Sequence, residues 1–392
     1  MRAEVTIAVP TENKRGIRRY RAAIVVGVLV IIVIVASNWS LPYVLYGPGS
    51  AEPVHPRVET DHKVEQKGEL LFTTVSSYSK PNVFSIIYAW LNPRMDIQTQ
   101  AKATGGTVNL TAYRNLMAWM RDSSEANALL AAYTAMNKKI DVKEQGVIVN
   151  SFIKESKARE HGLQEGDIIT TVDGIKANNA EALSKYLSTK KPGDTVKLSG
   201  TRGGKAFEAN VPLIKMPGTG KPGIGFNNQT VLKVTPPDKV KFDFEDTGGP
   251  SAGLMMTLEI ISQLQGKDLT KGYRIAGTGT IAADGSVGLI GGIQYKLMAA
   301  DREKADYFLV PYTRVAADHW QDNQKISPKD AINAVLNGFG NWSLAQQTVA
   351  DLKLKPKLVP VASLQDALDF LDSLEPKQAA GAPAASPSAK AS

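Results

Sequence analysis

The chain has 392 residues, 43% of them hydrophobic and 21% charged, which suits a globular protein with roughly two or three separately cored domains. Its formal net charge is +8, yet the basic residues form no stripe interleaved with aromatics, so nucleic acid is not an expected partner. The absence of cysteine excludes disulfides and thiolate metal sites, and suits an exported bacterial protein.

In chain order, Lys14, Arg15, Arg18, Arg19 and Arg21 crowd before fifteen apolar residues, Ala22–Ala36, and no charge appears between Arg21 and Glu52. An apolar core of this length fits a signal peptide or a spanning helix. Val35-Ala36-Ser37 is the best candidate cleavage site, and a weak one. Trp39, Tyr43 and Tyr46 continue the uncharged run as an aromatic belt would. The pattern predicts a retained transmembrane helix over 22–45, with residues 1–21 cytoplasmic by the positive-inside rule. Everything beyond would lie outside, in a single-pass protein of the cell membrane.

Residues 46–143 read as an extracytoplasmic linker followed by an α/β segment. Pro48, Pro53 and Pro56 punctuate an aperiodic stretch, and Glu69–Val75 is rich in β-formers. Val83–Leu91 is apolar and aromatic up to Pro93. The alanine-rich stretch Tyr113–Met136 has helical spacing, and its Met117, Met120, Met136, Tyr113 and Trp119 are expected to serve core packing.

From 144 to 214 the character changes. Gly146-Val147-Ile148-Val149 is a short strand, a helix spans about Ala180–Ser188, and Val196, Leu198 and Thr201 alternate as in a final strand. Glycines 162, 166 and 174 each suit a turn of positive φ. The run Gly162-Leu163-Gln164-Glu165-Gly166-Asp167-Ile168-Ile169 through Val172-Asp173-Gly174 resembles the PDZ domains of bacterial envelope proteases. That resemblance implies capture of an extended peptide by strand addition, with architectural packing as the alternative. No carboxylate-binding loop is evident. Met216–Pro222 reads as a linker, and its Gly-Lys lacks the spacing of a phosphate loop.

Mixed strands and helices fill 220–375, including an apolar strand at Tyr307–Val310 and a helix at Leu364–Leu374. The tail, 376–392, has the composition of a disordered segment. Within this region Gly248-Gly249-Pro250-Ser251-Ala252-Gly253 breaks an acidic strand end and opens an apolar helix. Ser251 there is either a helix cap or a nucleophile with free N–H groups beside it. A second double glycine, Gly291-Gly292, opens a helix carrying Lys296 among apolar residues. A lysine packed inside would lose hydration and become a base; one on the surface would not.

Gly249-Pro250-Ser251-Ala252-Gly253, Thr278-Gly279-Thr280-Ile281 and Gly291-Gly292-Ile293 through Lys296 and Ala299-Ala300 resemble, in order and spacing, the proteolytic domain of the Lon protease family. The resemblance implies an α/β (α+β) proteolytic domain cutting peptide bonds with a Ser–Lys dyad, Ser251 as nucleophile and Lys296 as general base. Thr278 would hydrogen-bond the lysine, while Gly249, Pro250, Gly291 and Gly292 shape the two loops. Thr280, Tyr295 and Gly248 stand where the family commonly has acidic residues, which suggests a branch away from the soluble ATP-driven enzymes. A ring-forming family also implies a homo-oligomer, such as a hexamer.

Taken together, the sequence leads us to expect a membrane-anchored, ATP-independent PDZ–Lon serine endopeptidase acting on exported or membrane-associated polypeptides, without cofactor or metal. The alternative is an inert scaffold of the same architecture that binds peptides. A Ser-His-Asp triad would have to pair Ser251 with His319, since His55, His62 and His161 lie in the linker or the PDZ-like turn. No His-Glu-x-x-His spacing occurs. Asp246, Asp284 and Asp301 are read as turn and cap residues.

Overall fold

A computed structural model describes residues 14–62, 64–104, 110–312 and 340–378. His319, most of the N-terminal segment and nearly all of the tail lie outside them. The chain divides into two compact units, 1–47 with 77–103, and 48–76 with 104–392.

The first unit holds helix α1 (Lys14–Asn38), the start of strand β1 (Tyr43–Pro53), helix α2 (Val83–Leu91), strand β4 (Asp96–Thr99) and the single turn α3 (Gln100–Ala103). Tyr43–Tyr46 pair antiparallel with Asp96–Thr99. Asn82 caps α2, its side chain accepting from Ser85 N–H, and its amide donates to Ser37 O at 2.9 Å.

The expected transmembrane helix over 22–45 is corrected here, and with it the membrane partner and the membrane localisation. Helix α1 stops at Asn38, and Tyr43 and Tyr46 belong to a strand rather than to a helical aromatic belt. The apolar segment between Arg21 and Ser37 would span about 22 Å, short of the ~30 Å hydrocarbon core. Among the described residues no helix is long and apolar enough to cross a membrane.

The second unit contains a sheet in the order β18-β17-β14-β3-β1, with β3 (Glu69–Tyr78), β14 (Arg274–Gly277), β17 (Tyr307–Pro311) and β18 (Lys357–Val361). Strands β3, β14, β17 and β18 are mutually parallel. Alternation sorts their side chains into two layers. Leu70, Phe72, Ile275 and Leu309 face one core, and Leu71, Ala276, Phe308 and Val310 the other.

The first core takes helices α4 (Leu110–Ala135), α6 (Gly253–Gln265) and α9 (Leu364–Ser373). The second takes α7 (Ile293–Arg302) and α8 (Gly340–Leu352). Residues 253–264 of α6 are buried without a break, as the apolar run after Ser251 requires. Two small ribbons complete this fold, β2 (Val58–Thr60) with β13 (Val240–Phe242), and β15 (Thr280–Ile281) with β16 (Val287–Gly288). The segment expected to be an extended linker, 47–66, thus supplies strands.

Between α4 and β13 lies a second sheet with its own core, of β5 (Asp141–Phe152), β6 (Asp167–Val172), β7 (Ile175–Lys176), β8 (Thr195–Arg202), β9 (Lys205–Pro212) and β12 (Phe226–Thr235). Helix α5 (Ala180–Leu187) closes it, capped by Asn179. Strands β8 and β9 are joined by Gly203-Gly204, both at positive φ, as a two-residue hairpin demands. The buried Asp167 pairs in two places with Arg202 (2.6 and 2.7 Å). This sheet runs past 214. Met216–Pro222 forms most of a hairpin between β10 (Ile214–Lys215) and β11 (Pro222–Gly223), and β12 then pairs antiparallel along β5.

Candidate active site

The approach to Ser251 starts from Phe244, buried edge-on against Phe72 at 5.1 Å. The chain then turns through Gly249, whose φ of +82° favours glycine, and Pro250. Helix α6 begins at Gly253 with Ala252 in the capping position and no side-chain cap. Ser251 is therefore not the cap. Its Oγ lies 3.0 Å from Lys296 Nζ.

The loop is held by backbone bonds. Gly249 N–H donates to Met117 O at 3.0 Å, and Ser251 O accepts from Gly279 N–H at 2.9 Å. Gly253 cannot be enlarged: a Cβ there would stand 2.7 Å from Ser124 Oγ and 2.9 Å from Ile281 Cγ2. Among the described residues neither Ser251 N–H nor Ala252 N–H has an acceptor. Two free donors beside a nucleophile are what a developing oxyanion needs.

Lys296 is placed by α7, which opens after Gly291-Gly292. Gly292 sits at φ +70°, and a Cβ on it would approach Val75 Cγ2 of β3 to 2.9 Å. Gly291 meets nothing within 4 Å, so no crowding demands a glycine there. The Lys296 side chain is 3% exposed and donates to Thr73 O at 2.5 Å. Among the described residues no carboxylate pairs with it. Burial without a counter-ion pushes its pKa down to about 7. Near neutrality the amine is thus substantially unprotonated. Its N–H to Thr73 O fixes the amine, leaving the nitrogen lone pair for the Ser251 proton.

Thr278 occupies the expected neighbourhood with a different partner. Its hydroxyl donates to Ser251 O at 3.0 Å, orienting the serine backbone. Gly249 and Pro250 shape the nucleophile loop, and Tyr295 is buried beside Lys296. Of the histidines, His55 bonds Glu259 at 2.7 Å and His62 faces Asp238 at 3.8 Å, so neither serves Ser251. Thr73, Met117 and Ser124, whose Oγ donates to Pro250 O at 3.0 Å, were missed from the sequence. All three contacts use a backbone oxygen, which leaves no side-chain signature.

A groove of about 620 Å³ runs between α5 and β11–β12, lined by Leu183, Ser184, Leu187, Ile224, Phe226 and Asn228 among others. Strand β12 is the edge of its sheet, so the backbone facing the groove is open to an added strand. Gly223, Ile224 and Gly225, which also line it, were read from the sequence as lying beyond the domain.

Two family models match the chain. Residues 132–213 match the PDZ domain and residues 245–336 the Lon protease (S16) C-terminal proteolytic domain. A Lon protease of Elusimicrobium minutum is 32% identical over 157 residues, 39% of this chain and 17% of that protein. The periplasmic pH-dependent serine endoprotease DegQ of Escherichia coli is 34% identical over 70 residues, 18% of this chain and 15% of its own. The PDZ domain of an SdrC-like protein from Listeria monocytogenes is 34% identical, with a TM-score of 0.20, covering 21% of this chain and 87% of that one. The chain thus spans less than a fifth of these curated relatives. The Lon-type match supports the expected serine endopeptidase class with its Ser–Lys dyad.

Proposed function

We propose that the chain is a serine endopeptidase in which Ser251 is the nucleophile, Lys296 its general base, and the PDZ-like domain a site that holds polypeptide substrates. The observation that carries this reading is a buried lysine amine 3.0 Å from a serine hydroxyl, with no counter-ion among the described residues. Lys296 takes the Ser251 proton as Oγ attacks the peptide carbonyl. Ser251 N–H and Ala252 N–H receive the oxyanion. Lys296, now an ammonium, returns the proton to the leaving amine, and water discharges the acyl-serine by the same route. Thr278 holds the Ser251 carbonyl and Thr73 the lysine throughout. A substrate adding a strand to β12 must be extended, so the enzyme acts on flexible segments.

Digestion of casein by the purified chain tests the proposal. Wild type cuts, while Ser251→Ala and Lys296→Arg do not, with unchanged circular dichroism. A guanidinium stays protonated and cannot act as base. Substantial cleavage by Lys296→Arg would remove the dyad. A wild type that binds peptides without cutting them would leave the inert scaffold.

A further inference from the structure

Helix α4 lies largely outside both matched segments, yet neighbouring residues on it touch the nucleophile loop and the PDZ-like domain. Ser124 is 3% exposed and its Oγ donates to Pro250 O at 3.0 Å. A serine inside a helix usually turns its hydroxyl back to the carbonyl four residues earlier. This one crosses to another segment instead. About two turns earlier on α4, Met117 O accepts from Gly249 N–H at 3.0 Å. The two bonds hold the two residues immediately before the nucleophile.

The covalent geometry makes this grip consequential. Pro250 C=O and Ser251 N–H belong to one planar peptide unit and point in opposite directions. Fixing the oxygen on Ser124 therefore aims the Ser251 N–H, one of the two free donors. Gly253 N–H also reaches Pro250 O, at a longer 3.3 Å. The close fit of Ser124 against Gly253 keeps the hydroxyl in place, since even a methyl there would meet Oγ at 2.7 Å.

The residues just before Met117 carry the PDZ-like domain. Its turn at Gly166 (φ +84°) comes so near that a Cβ would stand 2.9 Å from Leu116 N. At its Gly203 hairpin, a Cβ would stand 3.1 Å from Asn115 Oδ1. A hydrogen-bonded helix does not stretch, so a displacement of those turns reaches the 249–251 loop through one rigid bar.

We infer that Ser124 is a positioning residue that aims the Ser251 N–H at the developing oxyanion, and that α4 is the bar through which the PDZ-like domain steadies the nucleophile loop. The kinetic consequence rests on the endopeptidase reading; the structural one does not. Donors aimed at an oxyanion act in the transition state, so their misalignment lowers kcat and spares KM.

The experiment uses the full chain, a short fluorogenic peptide, and hydrogen exchange of the hydrogen-bonded Gly249 and Gly253 amides followed by mass spectrometry. Ser124→Ala should lower kcat about tenfold, a fraction of the ~100-fold or more for outright loss of a donor. KM should stay within about twofold, the rise of kcat/KM with pH near the Lys296 pKa of about 7 should not move, and the Gly249 and Gly253 amides should exchange faster. Ser124→Thr, which keeps a hydroxyl, should restore most of kcat. Should Ser124→Ala fail to fold, Ser124→Cys, similar in size and weaker as a donor, replaces it. Asn115→Ala should lower kcat about threefold and loosen the same amides.

Unchanged kcat and exchange in Ser124→Ala, or a rise in KM alone, overturns the positioning role. A silent Asn115→Ala beside an impaired Ser124→Ala overturns the bar. If wild type cuts nothing, the endopeptidase reading falls. Exchange alone then decides: faster exchange in both variants sustains the coupling, and unchanged protection overturns it.

Discussion

Lys296 Nζ stands 3.0 Å from Ser251 Oγ across 45 residues of chain, and the lysine is buried with no compensating anion among the described residues. Its pKa is pushed down to about 7 by that burial. As the proposed base the amine must be neutral to work, so kcat/KM should be low at pH 5.5, rise through an inflection near 7, and level off above pH 8. A pH profile with a short peptide measures it. A flat profile, or one whose inflection survives in Lys296→Arg with activity retained, would assign the base elsewhere.

The same burial costs stability, with a defined sign. Lys296 has a pKa of about 7 in the folded chain and about 10.4 when exposed, so the unfolded state binds more protons between those values. Folding is accordingly penalised at low pH, and the penalty is relieved as pH rises from about 7 towards 10.4. At pH 7 it is on the order of 4 kcal/mol. Lys296→Met removes the amine at similar length. It should be inactive yet more stable than wild type at pH 7 in urea unfolding, with the gain shrinking by pH 9. A variant less stable at both pH values would mean that the Thr73 bond outweighs the desolvation.

Thr278 separates orientation from basicity. Its hydroxyl reaches Ser251 O rather than the lysine, so Thr278→Val should lower kcat about tenfold while leaving the inflection near pH 7 in place. Loss of one buried hydrogen bond should cost about 1 kcal/mol in unfolding. A shifted inflection would instead make the threonine a partner of the amine.

The legible parts of this fold were those where local geometry demands particular residues. Gly249, read as part of the break before an apolar helix, sits at φ +82°, and glycines 162, 166 and 174, read as turns of positive φ, lie at +88°, +84° and +79°. The apolar run around Lys296 left a buried and a surface lysine both open, and the side chain is buried. What escaped was fixed by distant pairings. Thr73 meets Lys296 over 223 residues through a backbone oxygen, which any residue could supply. Strand β12 joins the PDZ-like sheet only by its register along β5, and Met216–Pro222, rich in turn formers, reads equally well as a linker or a hairpin. The anchor failed for another reason: the apolar run and the aromatics after it were read as one helix over 22–45, whereas α1 ends at Asn38 and the chain changes to strand at Tyr43.

The groove beside α5 should govern long substrates and leave the chemistry alone. Ser184 is exposed and lines the groove together with Phe226 and Asn228 of the edge strand β12. Ser184→Trp fills that space without entering either core. A polypeptide held there reaches Ser251 at raised effective concentration, an advantage a short peptide cannot use. The variant should therefore raise KM for casein by about tenfold or more, while kcat/KM for the short peptide stays within about twofold. Equal loss on both substrates would make the PDZ-like domain a structural support for the Ser251 loop. No loss on either would move substrate capture to another surface.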